Sequence, residues 1–538
     1  MKTGLIINKL LLGVGFAVCL TSCTKDLNRT PIVGVSGTTA YANAASIKDI
    51  LAKLYGGLTL SGQDPTAAYP TADIQSSDVG SNVYFRNWWE AQELSTDEAK
   101  IAWGDGDLQK YNTMNWTSSM TYLVLWYNRI FYEVSLCNDF IRNLPASKIS
   151  SFSTEDASNI QTYVYEARFL RALAYYHAID NFANVPFTTE KDGVGITSPK
   201  QISRDSLFSY VESELLALQS LLPAPTANEY GRVDQACAWT LLAKLYQNAS
   251  VYTGTDRSTD CITYCNKITA SQKYGLASSY ANLFRIDNHS TSSSEIIFAL
   301  RANGLTSESY GNSTFLIHAE VGGKMDATDS FGIASGGWSG LRVTANVYNK
   351  FSDPSGNTDQ RAMFFTNGQT EAINSLTDFT QGYAITKFRN ISSTGAIGSD
   401  PKGNFADLDF PMFRLADIYL TYAEAVLRGG SGGDITTALG YVNAVRNRAY
   451  GGSSNVTPLQ TSDLTLSFIL DERCRELYWE GYRRQDLIRF GLFTSGTYLW
   501  PWKGDVLNGT GIDSHFNIYP LSNTDIAVNP NLIQNSGY

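Results

Sequence analysis

Residues 163–187 constrain the fold of this chain more than any other stretch. Their sequence, YVYEARFLRALAYYHAIDNFANVPF, places apolar side chains such as Ala167, Leu170 and Ala174 on one face at helical spacing, which predicts a long helix. Pro186 disfavours the α conformation in the residue before it, so we expect the helix to end there. A helix this apolar is not stable alone in water, and it therefore requires packing partners on more than one side.

The rest of the chain offers those partners as predicted helical pairs. A helix at residues 46–58 comes first, and Ser153 with Asp156 resembles the capping box that would begin the helix containing residues 163–187. The helices are predicted at residues 116–144 and 153–187, 203–222 and 233–252, 256–269 and 412–428, and 435–450 and 464–490. Such hairpins predict a tetratricopeptide-like superhelix, although the consensus tetratricopeptide motif is absent and the prediction depends on helix pairing alone.

Two turn-rich stretches interrupt this pattern. Residues 59–115 lack helical periodicity, and residues 270–410 contain β-prone runs at 295–300 and 383–388. The predicted fold class is therefore predominantly α, a superhelix of about four helical pairs carrying an irregular, loop-rich lobe with short β-strands. The predicted segments are 1–22 (lipoprotein signal peptide), 23–40 (lipidated tether), 41–115 (N-terminal segment with part of the lobe), 116–269 (first hairpins), 270–410 (inserted lobe), 411–490 (remaining hairpins) and 491–538 (C-terminal segment).

The first residues carry the pattern of an export signal. Lys2 and Lys9 precede an apolar run at 10–20 that is too short to span a bilayer. The run ends at Leu-Thr-Ser-Cys, which is typical of a bacterial lipoprotein, and Cys23 would become the lipidated first residue of the mature chain. The alternative is an ordinary secretory signal followed by a chance cysteine.

Composition excludes several functions. The net charge is −10 and no run of Lys or Arg occurs, which argues against nucleic-acid binding and against docking on anionic lipid. The cysteines at 137, 237, 261, 265 and 474 are an odd number and do not form a disulfide framework, so we expect small buried side chains. The histidines are scattered without metal-ligand spacing, so neither a metal site nor a cofactor is predicted.

Two loop regions have the chemistry that sugar recognition requires. Aromatic rings can cover the C–H faces of a sugar, and planar polar side chains can bond its hydroxyls. Residues 78–103 and 310–342 are rich in both kinds, and Trp338 lies between glycines. The candidate ligand-binding residues are Asp78, Asn82, Arg86, Trp88, Trp89, Trp103, Tyr310 and Trp338. The alternative for each tryptophan is packing in the core, as expected for Trp126 and Trp239 on helices.

Charged residues allow an enzymatic alternative. Asp97, Glu98, Asp105 and Asp107 lie near the aromatic residues and could include the two carboxylates of a glycoside hydrolase. The charged segment 471–489 could be a catalytic or anion site, but pairs such as Asp471 with Arg475 and Glu480 with Arg484 favour a structural salt-bridged helix. No nucleophile, metal or phosphate-loop motif is present, so we predict a binding protein rather than an enzyme.

Several long motifs resemble one family. Residues 166–187, 414–428, 470–491 and 518–538, together with Glu-Leu-Ser-Thr-Asp-Glu at 93–98, are similar to the SusD/RagB family over nearly the whole mature chain. The resemblance implies a tetratricopeptide-like scaffold with an irregular binding lobe, anchored as a lipoprotein on the outer face of the outer membrane. It implies binding of an oligosaccharide or polysaccharide, or in some members peptides, and delivery to a SusC-like TonB-dependent transporter.

The resemblance also concerns the site. It implies a ligand platform built from the same two loop regions, with Asp78, Arg86, Trp103 and Trp338 where the family places it. The alternatives that remain open are a peptide-binding member of the family, a glycoside hydrolase, and a scaffold that binds no glycan.

Overall fold

The computed structural model describes residues 37–62, 72–195 and 198–538. The predicted signal peptide, the lipidation site Cys23 and most of the predicted tether lie outside the described residues. None of the helices in the described part of the chain has the length and apolar character needed to cross a bilayer.

Helices dominate the described residues. The longer ones are α1 (Ala44–Gly57), α2 (Tyr84–Glu93), α3 (Thr121–Asn143), α4 (Thr154–Phe182), α5 (Arg204–Leu218), α6 (Gln235–Gln247), α7 (Ser258–Ala270), α8 (Ser313–Glu320), α9 (Leu415–Leu427), α10 (Ile435–Ala449), α11 (Leu466–Leu477) and α12 (Arg483–Arg489). Shorter helical turns are Gly37–Ala40, Gln109–Thr113, Ala146–Ile149, Ala249–Thr253, Ala281–Phe284, Asn288–Thr291, Ala345–Tyr348, Ser453–Asn455, Thr461–Asp463, Lys503–Asp505, Ser514–Asn517 and Asn523–Val528.

Within the described residues, the strands are short and form two-stranded sheets. β1 (Lys100–Ile101) pairs with β3 (Leu341–Arg342), and β2 (Ile296–Leu300) pairs with β4 (Phe410–Arg414), both antiparallel. Two further antiparallel pairs are Val185–Pro186 with Gln201–Ile202 and Phe364–Phe365 with Ala384–Ile385. The predicted strand at 295–300 is confirmed, whereas the run at 383–388 forms a strand at only two residues.

Helix α4 lies at the centre of the helical part, as its apolarity predicts. Its last fourteen residues, from Phe169 to Phe182, are all buried, and it packs against α1, α3 and α5. Ser153 Oγ accepts a hydrogen bond from the Asp156 N–H at 3.2 Å, so the predicted cap is present. Arg171 finds its partners off the helix, at Glu190 and Glu214.

The helices pack in succession along the scaffold. Contacts join α3 to α4, α4 to α5, α5 to α6, and α6 to α7. Helix α7 then packs against α9, which is the delayed partner across the inserted lobe, and α9 contacts both α10 and α11. The predominantly α, tetratricopeptide-like superhelix with an irregular lobe is therefore confirmed.

Two helix predictions are wrong. The helix predicted at 464–490 is two helices, α11 and α12, because the chain bends between them, where Trp479 (φ 63°) and Gly481 (φ 81°) are left-handed. The segment 59–115, predicted to be irregular, contains α2. All of α2 is buried, although half of its residues are polar. Tyr84, Phe85, Trp88 and Trp89 lie at helical spacing, but this signal spans only ten residues inside a turn-rich stretch.

The charged segment 471–489 is a buried ion-pair network. Arg414 is fully buried and bonds Glu295 at 2.9 Å, Glu476 at 2.6 Å and Glu480 at 2.6 Å. Burial alone would raise the pKa of Glu476, but Arg448, Arg414 and Arg361 lower it to about 2. This placement agrees with the structural interpretation of the segment.

The pairs inside that segment differ from the predicted ones. Asp471 bonds Lys350 at 2.6 Å rather than Arg475, and Glu480 bonds Arg414 and Lys387 rather than Arg484. The helix break between α11 and α12 is the reason that Glu480 and Arg484 do not face each other.

The cysteines and possible metal ligands fit a structural role. Cys137, Cys237, Cys261, Cys265 and Cys474 are free and buried, as predicted. Within the described residues, no group of three His, Cys, Asp or Glu side chains could hold a metal ion.

Candidate functional site

An open cleft in the irregular lobe gathers most of the predicted ligand-binding residues. It encloses about 690 Å³ of empty space, including its mouth. Its lining residues are Asp78, Val79, Arg86, Trp103, Asp105, Tyr310 and Trp338. Residues far apart in the chain therefore converge on one surface.

The pairing of β1 with β3 brings the two cleft tryptophans together. Ile101 lies opposite Leu341, and the ladder continues as the Ala102 N–H donates to the Gly340 carbonyl at 2.7 Å. Trp103 then donates its indole N–H to the Trp338 carbonyl at 2.9 Å. The two rings are 6.1 Å apart with planes tilted by 51°.

Helix α8 supports the second tryptophan. The Trp338 N–H donates to the His318 carbonyl at 2.7 Å, and the His318 ring stacks on the Trp338 ring at 4.6 Å and 23°. Burial lowers the pKa of His318 to about 4, so this histidine is neutral at neutral pH. Trp338 is thus packed from behind by an uncharged, flat side chain.

Three aromatic rings form a bent wall of the cleft. Tyr310 is the third, and its ring lies 6.1 Å from that of Trp338 at an angle of 50°. Each of the three side chains is only partly buried. Neighbouring rings are therefore tilted against each other rather than lying in one plane.

Arg86 supplies the charged group of the cleft. It is 2 % exposed and projects from α2, with Nη1 3.0 Å from Asp78 and Nε 2.8 Å from Glu90. Its guanidinium lies over the rings of Phe315 at 4.8 Å and Trp103 at 5.5 Å. Burial alone would lower the pKa of Arg86, but Glu90 and Asp78 raise it above its ordinary value, so the arginine is charged.

One nitrogen of this arginine is buried without a hydrogen-bond partner in the described part of the chain. Nη2 of Arg86 has no hydrogen-bond partner among the described residues, and unpaired buried polar groups are costly. Asp78, whose side chain is 44 % exposed, forms the outer edge of the same polar group. Donor and acceptor groups thus lie beside the aromatic wall.

Three of the predicted site residues do not reach the cleft. Trp88 and Trp89 lie in the core on α2, and the Trp89 indole N–H donates to the Trp479 carbonyl at 2.9 Å. Asn82 is fully buried and its amide donates to the Ile74 carbonyl at 2.6 Å. A segment taken for a loop is a buried helix with its cap, so these side chains point inward and ligand contact does not fit their placement.

The carboxylates of the enzymatic alternative are mostly engaged. Asp97 is buried and bonds Arg483 at 2.7 Å, and Glu98 is buried beside the same arginine. Asp107 accepts the Thr121 N–H at 2.8 Å. Of these four, Asp105 alone lines the cleft.

Some residues of the site were not predicted from sequence. His318 and Phe315 support the cleft from behind, and Val79 lines it. Packing places these side chains, and their sequence neighbourhood carries no motif that distinguishes them from ordinary core residues.

Comparison with known proteins identifies the relatives of this chain. The model of the SusD family matches residues 341–538. The starch-binding protein SusD of Bacteroides thetaiotaomicron is 31% identical over 96% of this chain and 96% of that protein. SusD-like protein P25 of Formosa agariphila is 24% identical over 96% of this chain and 97% of that protein.

Solved structures show the same fold. A SusD homolog from Bacteroides thetaiotaomicron has a TM-score of 0.71 at 19% identity, covering 92% of this chain and 97% of that one. Surface glycan-binding protein A from Bacteroides thetaiotaomicron, solved in complex with laminarihexaose, has a TM-score of 0.66 at 20% identity, covering 91% of this chain and 99% of that one. The similarity to SusD extends over nearly the whole chain, and the chain therefore belongs to the SusD family.

Proposed function

We propose that this chain binds a neutral glycan in the cleft formed by Asp78, Arg86, Trp103, Tyr310 and Trp338. The observation that carries the proposal is the wall of three partly exposed aromatic rings beside Arg86 and the half-exposed carboxylate of Asp78. Aromatic faces cover the C–H surfaces of successive sugar rings, while Arg86 and Asp78 bond hydroxyl groups at the edge.

The shape and charge of the cleft narrow the ligand class. Rings tilted by about 50° follow a chain whose sugar units turn relative to one another, so a curved glucan fits better than a flat ribbon. Asp78 and Asp105 offset the charge of Arg86, which disfavours acidic glycans. Because a relative is named as a starch-binding protein, malto-oligosaccharides are the first ligands to test.

The placement of the acidic groups supports binding without hydrolysis. A glycoside hydrolase needs two carboxyl groups on either side of the scissile bond. Asp97 and Glu98 are buried beside Arg483, and Asp78 is paired with Arg86. This arrangement supports a binding protein.

The setting of this function is the bacterial surface. We infer that Cys23 is lipidated and anchors the chain to the outer membrane, facing outward, and that a SusC-like TonB-dependent transporter receives the glycan. The lipoprotein motif at 20–23 and membership of the SusD family support both inferences.

Calorimetry with maltoheptaose, acidic oligosaccharides and oligopeptides tests which class of ligand the cleft binds. We expect the neutral glycan to bind and Trp338→Ala or Trp103→Ala to weaken binding by about tenfold or more, since a ring contact contributes on the order of 1.5 kcal/mol. Trp239→Ala is the matched control, because this partly buried tryptophan lies on α6 and does not line the cleft. Its affinity should equal that of the wild type.

Other outcomes would favour the alternatives. Binding of peptides only would identify a peptide-binding family member, and silence toward both classes would favour a scaffold. Release of reducing ends from maltoheptaose would contradict the non-enzymatic proposal.

The partner and the anchor have their own test. Gentle solubilisation of outer membranes should recover the chain together with a TonB-dependent transporter, and Cys23→Ala should be found unlipidated and away from the membrane. Recovery of the chain alone, or membrane attachment of Cys23→Ala, would contradict these inferences.

A further inference from the structure

Gly340 lies directly beneath the ring of Trp103. A Cβ atom at this glycine would lie 2.7 Å from Cε2 and from Cζ2 of Trp103, and 3.0 Å from its Nε1. Carbon atoms in contact prefer separations of about 3.5–4.0 Å, so a methyl group does not fit while the indole keeps its place. The three nearest atoms all belong to Trp103, so a side chain at 340 would first meet that ring.

The backbone at Gly340 cannot yield to relieve such a clash. Its N–H donates to the Ala319 carbonyl at 2.8 Å, and its carbonyl accepts the Ala102 N–H at 2.7 Å. The residue is therefore bonded to α8 on one side and, on the other, to the segment that follows β1 and carries Trp103. Its φ is outside the left-handed region, so backbone conformation does not require glycine here, and the nearest obstacle to an alanine is the Trp103 ring.

The position of the Trp103 ring is fixed from its other sides as well. Its indole N–H bonds the Trp338 carbonyl at 2.9 Å, and the ring contacts Phe315 at 6.1 Å with an edge-on geometry. The Arg86 guanidinium lies 5.5 Å from the ring centroid. A ring displaced by a methyl group at 340 would lose the N–H bond and change its tilt against Trp338.

We propose that Gly340 is a positioning residue that determines ligand specificity, because its missing side chain lets Trp103 lie on the backbone and fixes the angle between Trp103 and Trp338. The inference depends on the proposed function for its effect on ligands. The angle between the two rings selects neutral oligosaccharides whose curvature matches it. Glycans of another curvature contact only one of the rings and bind less tightly.

Gly340→Ala tests this in the full chain, with Gly104→Ala as the matched control. Gly104 follows Trp103 directly and has no left-handed φ, and a Cβ atom at this position would have no described heavy atom within 4 Å. The measured quantity is the ratio of the affinities for maltoheptaose and laminariheptaose, two neutral glucans of equal length and different curvature. We expect this ratio to change by about tenfold in Gly340→Ala, which corresponds to about 1.4 kcal/mol, and to stay unchanged in Gly104→Ala.

A second variant distinguishes a specific clash from a general loss of folding. In Trp103→Phe the ring is smaller and lacks the indole nitrogen, so adding Gly340→Ala to Trp103→Phe should change the ratio much less than it does in the wild type. Equal effects in both backgrounds, or an unchanged ratio in folded Gly340→Ala, would overturn the proposal.

A ligand-free readout separates this inference from the proposed function. Fluorine NMR of fluorotryptophan-labelled protein, with the Trp103 resonance assigned through Trp103→Phe, should show that resonance shifted in Gly340→Ala and unshifted in Gly104→Ala. If the wild type binds neither heptaose, the proposed function fails, while the shift still supports the contact between Gly340 and Trp103. An unshifted resonance in Gly340→Ala would overturn the positioning role.

Discussion

The cleft and the buried ion-pair network both contain a buried arginine paired with carboxylates, but only in the cleft is one of those carboxylates open to solvent. In the network, Arg414 is fully buried and bonds Glu295, Glu476 and Glu480. In the cleft, Arg86 is also buried, but its ion-pair partner Asp78 is 44 % exposed.

This difference separates a structural site from a binding site. Buried ion pairs that bond only one another hold segments of the chain together and leave no group for a ligand. A polar group that is exposed beside an aromatic wall, such as the Asp78 carboxylate, can bond an incoming molecule. A cluster of charged residues in the sequence does not indicate whether a structural ion-pair network or a binding site will form.

The largest expected effect is on stability, from Arg414→Met. Removing this arginine leaves three buried carboxylates without one of their partners, and breaking a buried pair costs about 3–5 kcal/mol. Chemical denaturation should therefore show a large loss of unfolding free energy. The exposed pair Lys48–Glu229 provides the control, since Lys48→Met should cost about 0.5 kcal/mol or less. A loss below about 1 kcal/mol in Arg414→Met would show that the network is not structural.

A smaller effect on stability is expected from Lys100 in β1, and it should appear as a change of the unfolding free energy with pH. Its Nζ is buried and donates to the Leu94 and Thr96 carbonyls, and no described carboxylate forms an ion pair with it. Burial lowers the pKa of Lys100 from 10.5 to about 7. Between these values the unfolded chain binds a proton that the folded chain does not, so the contribution of Lys100 to stability rises with pH.

Lys100→Met removes this dependence. The unfolding free energy of the wild type minus that of Lys100→Met should increase between about pH 7 and 10, by about 1.4 kcal/mol per pH unit at most. If this difference in unfolding free energy does not change between about pH 7 and 10, Lys100 keeps its proton in the folded chain. Burial without a carboxylate partner would then not lower its pKa.

The smallest effect is expected from Asp78→Asn. The side chain is half exposed, and exposed ion pairs contribute about 1 kcal/mol or less, so the unfolding free energy should change little. For a neutral glycan we expect the affinity to fall by less than about tenfold, since a neutral hydrogen-bonding group remains at the position. A stability loss as large as that of Arg414→Met would place Asp78 with the structural network instead.

Sequence periodicity predicted the scaffold well and the cleft in part. The helical pairs repeat apolar residues at a spacing that tertiary packing then uses, and Ser153 caps its helix as its sequence indicates. Helix α2 spans ten residues within a turn-rich stretch, and its helical spacing is too short a signal to separate Trp88 and Trp89 from loop residues. The left-handed conformation of Trp479, which breaks the predicted last helix, is set by tertiary context.

The cleft could be anticipated at Trp103 and Trp338 because a Gly-Asp turn follows the first and glycines flank the second. The angle between the two rings could not be anticipated, since it depends on the β1–β3 register and on contacts with His318 and Gly340. Such geometry arises between distant segments and leaves no local pattern.

The hydrogen bond from Trp103 to Trp338 joins positions 235 residues apart in the chain. Closing a chain segment of this length costs conformational entropy, which the contact must offset. The same contact holds the two edges of the cleft together. A ligand that spans both edges binds the native state alone, and by mass action it raises the free energy needed to separate them.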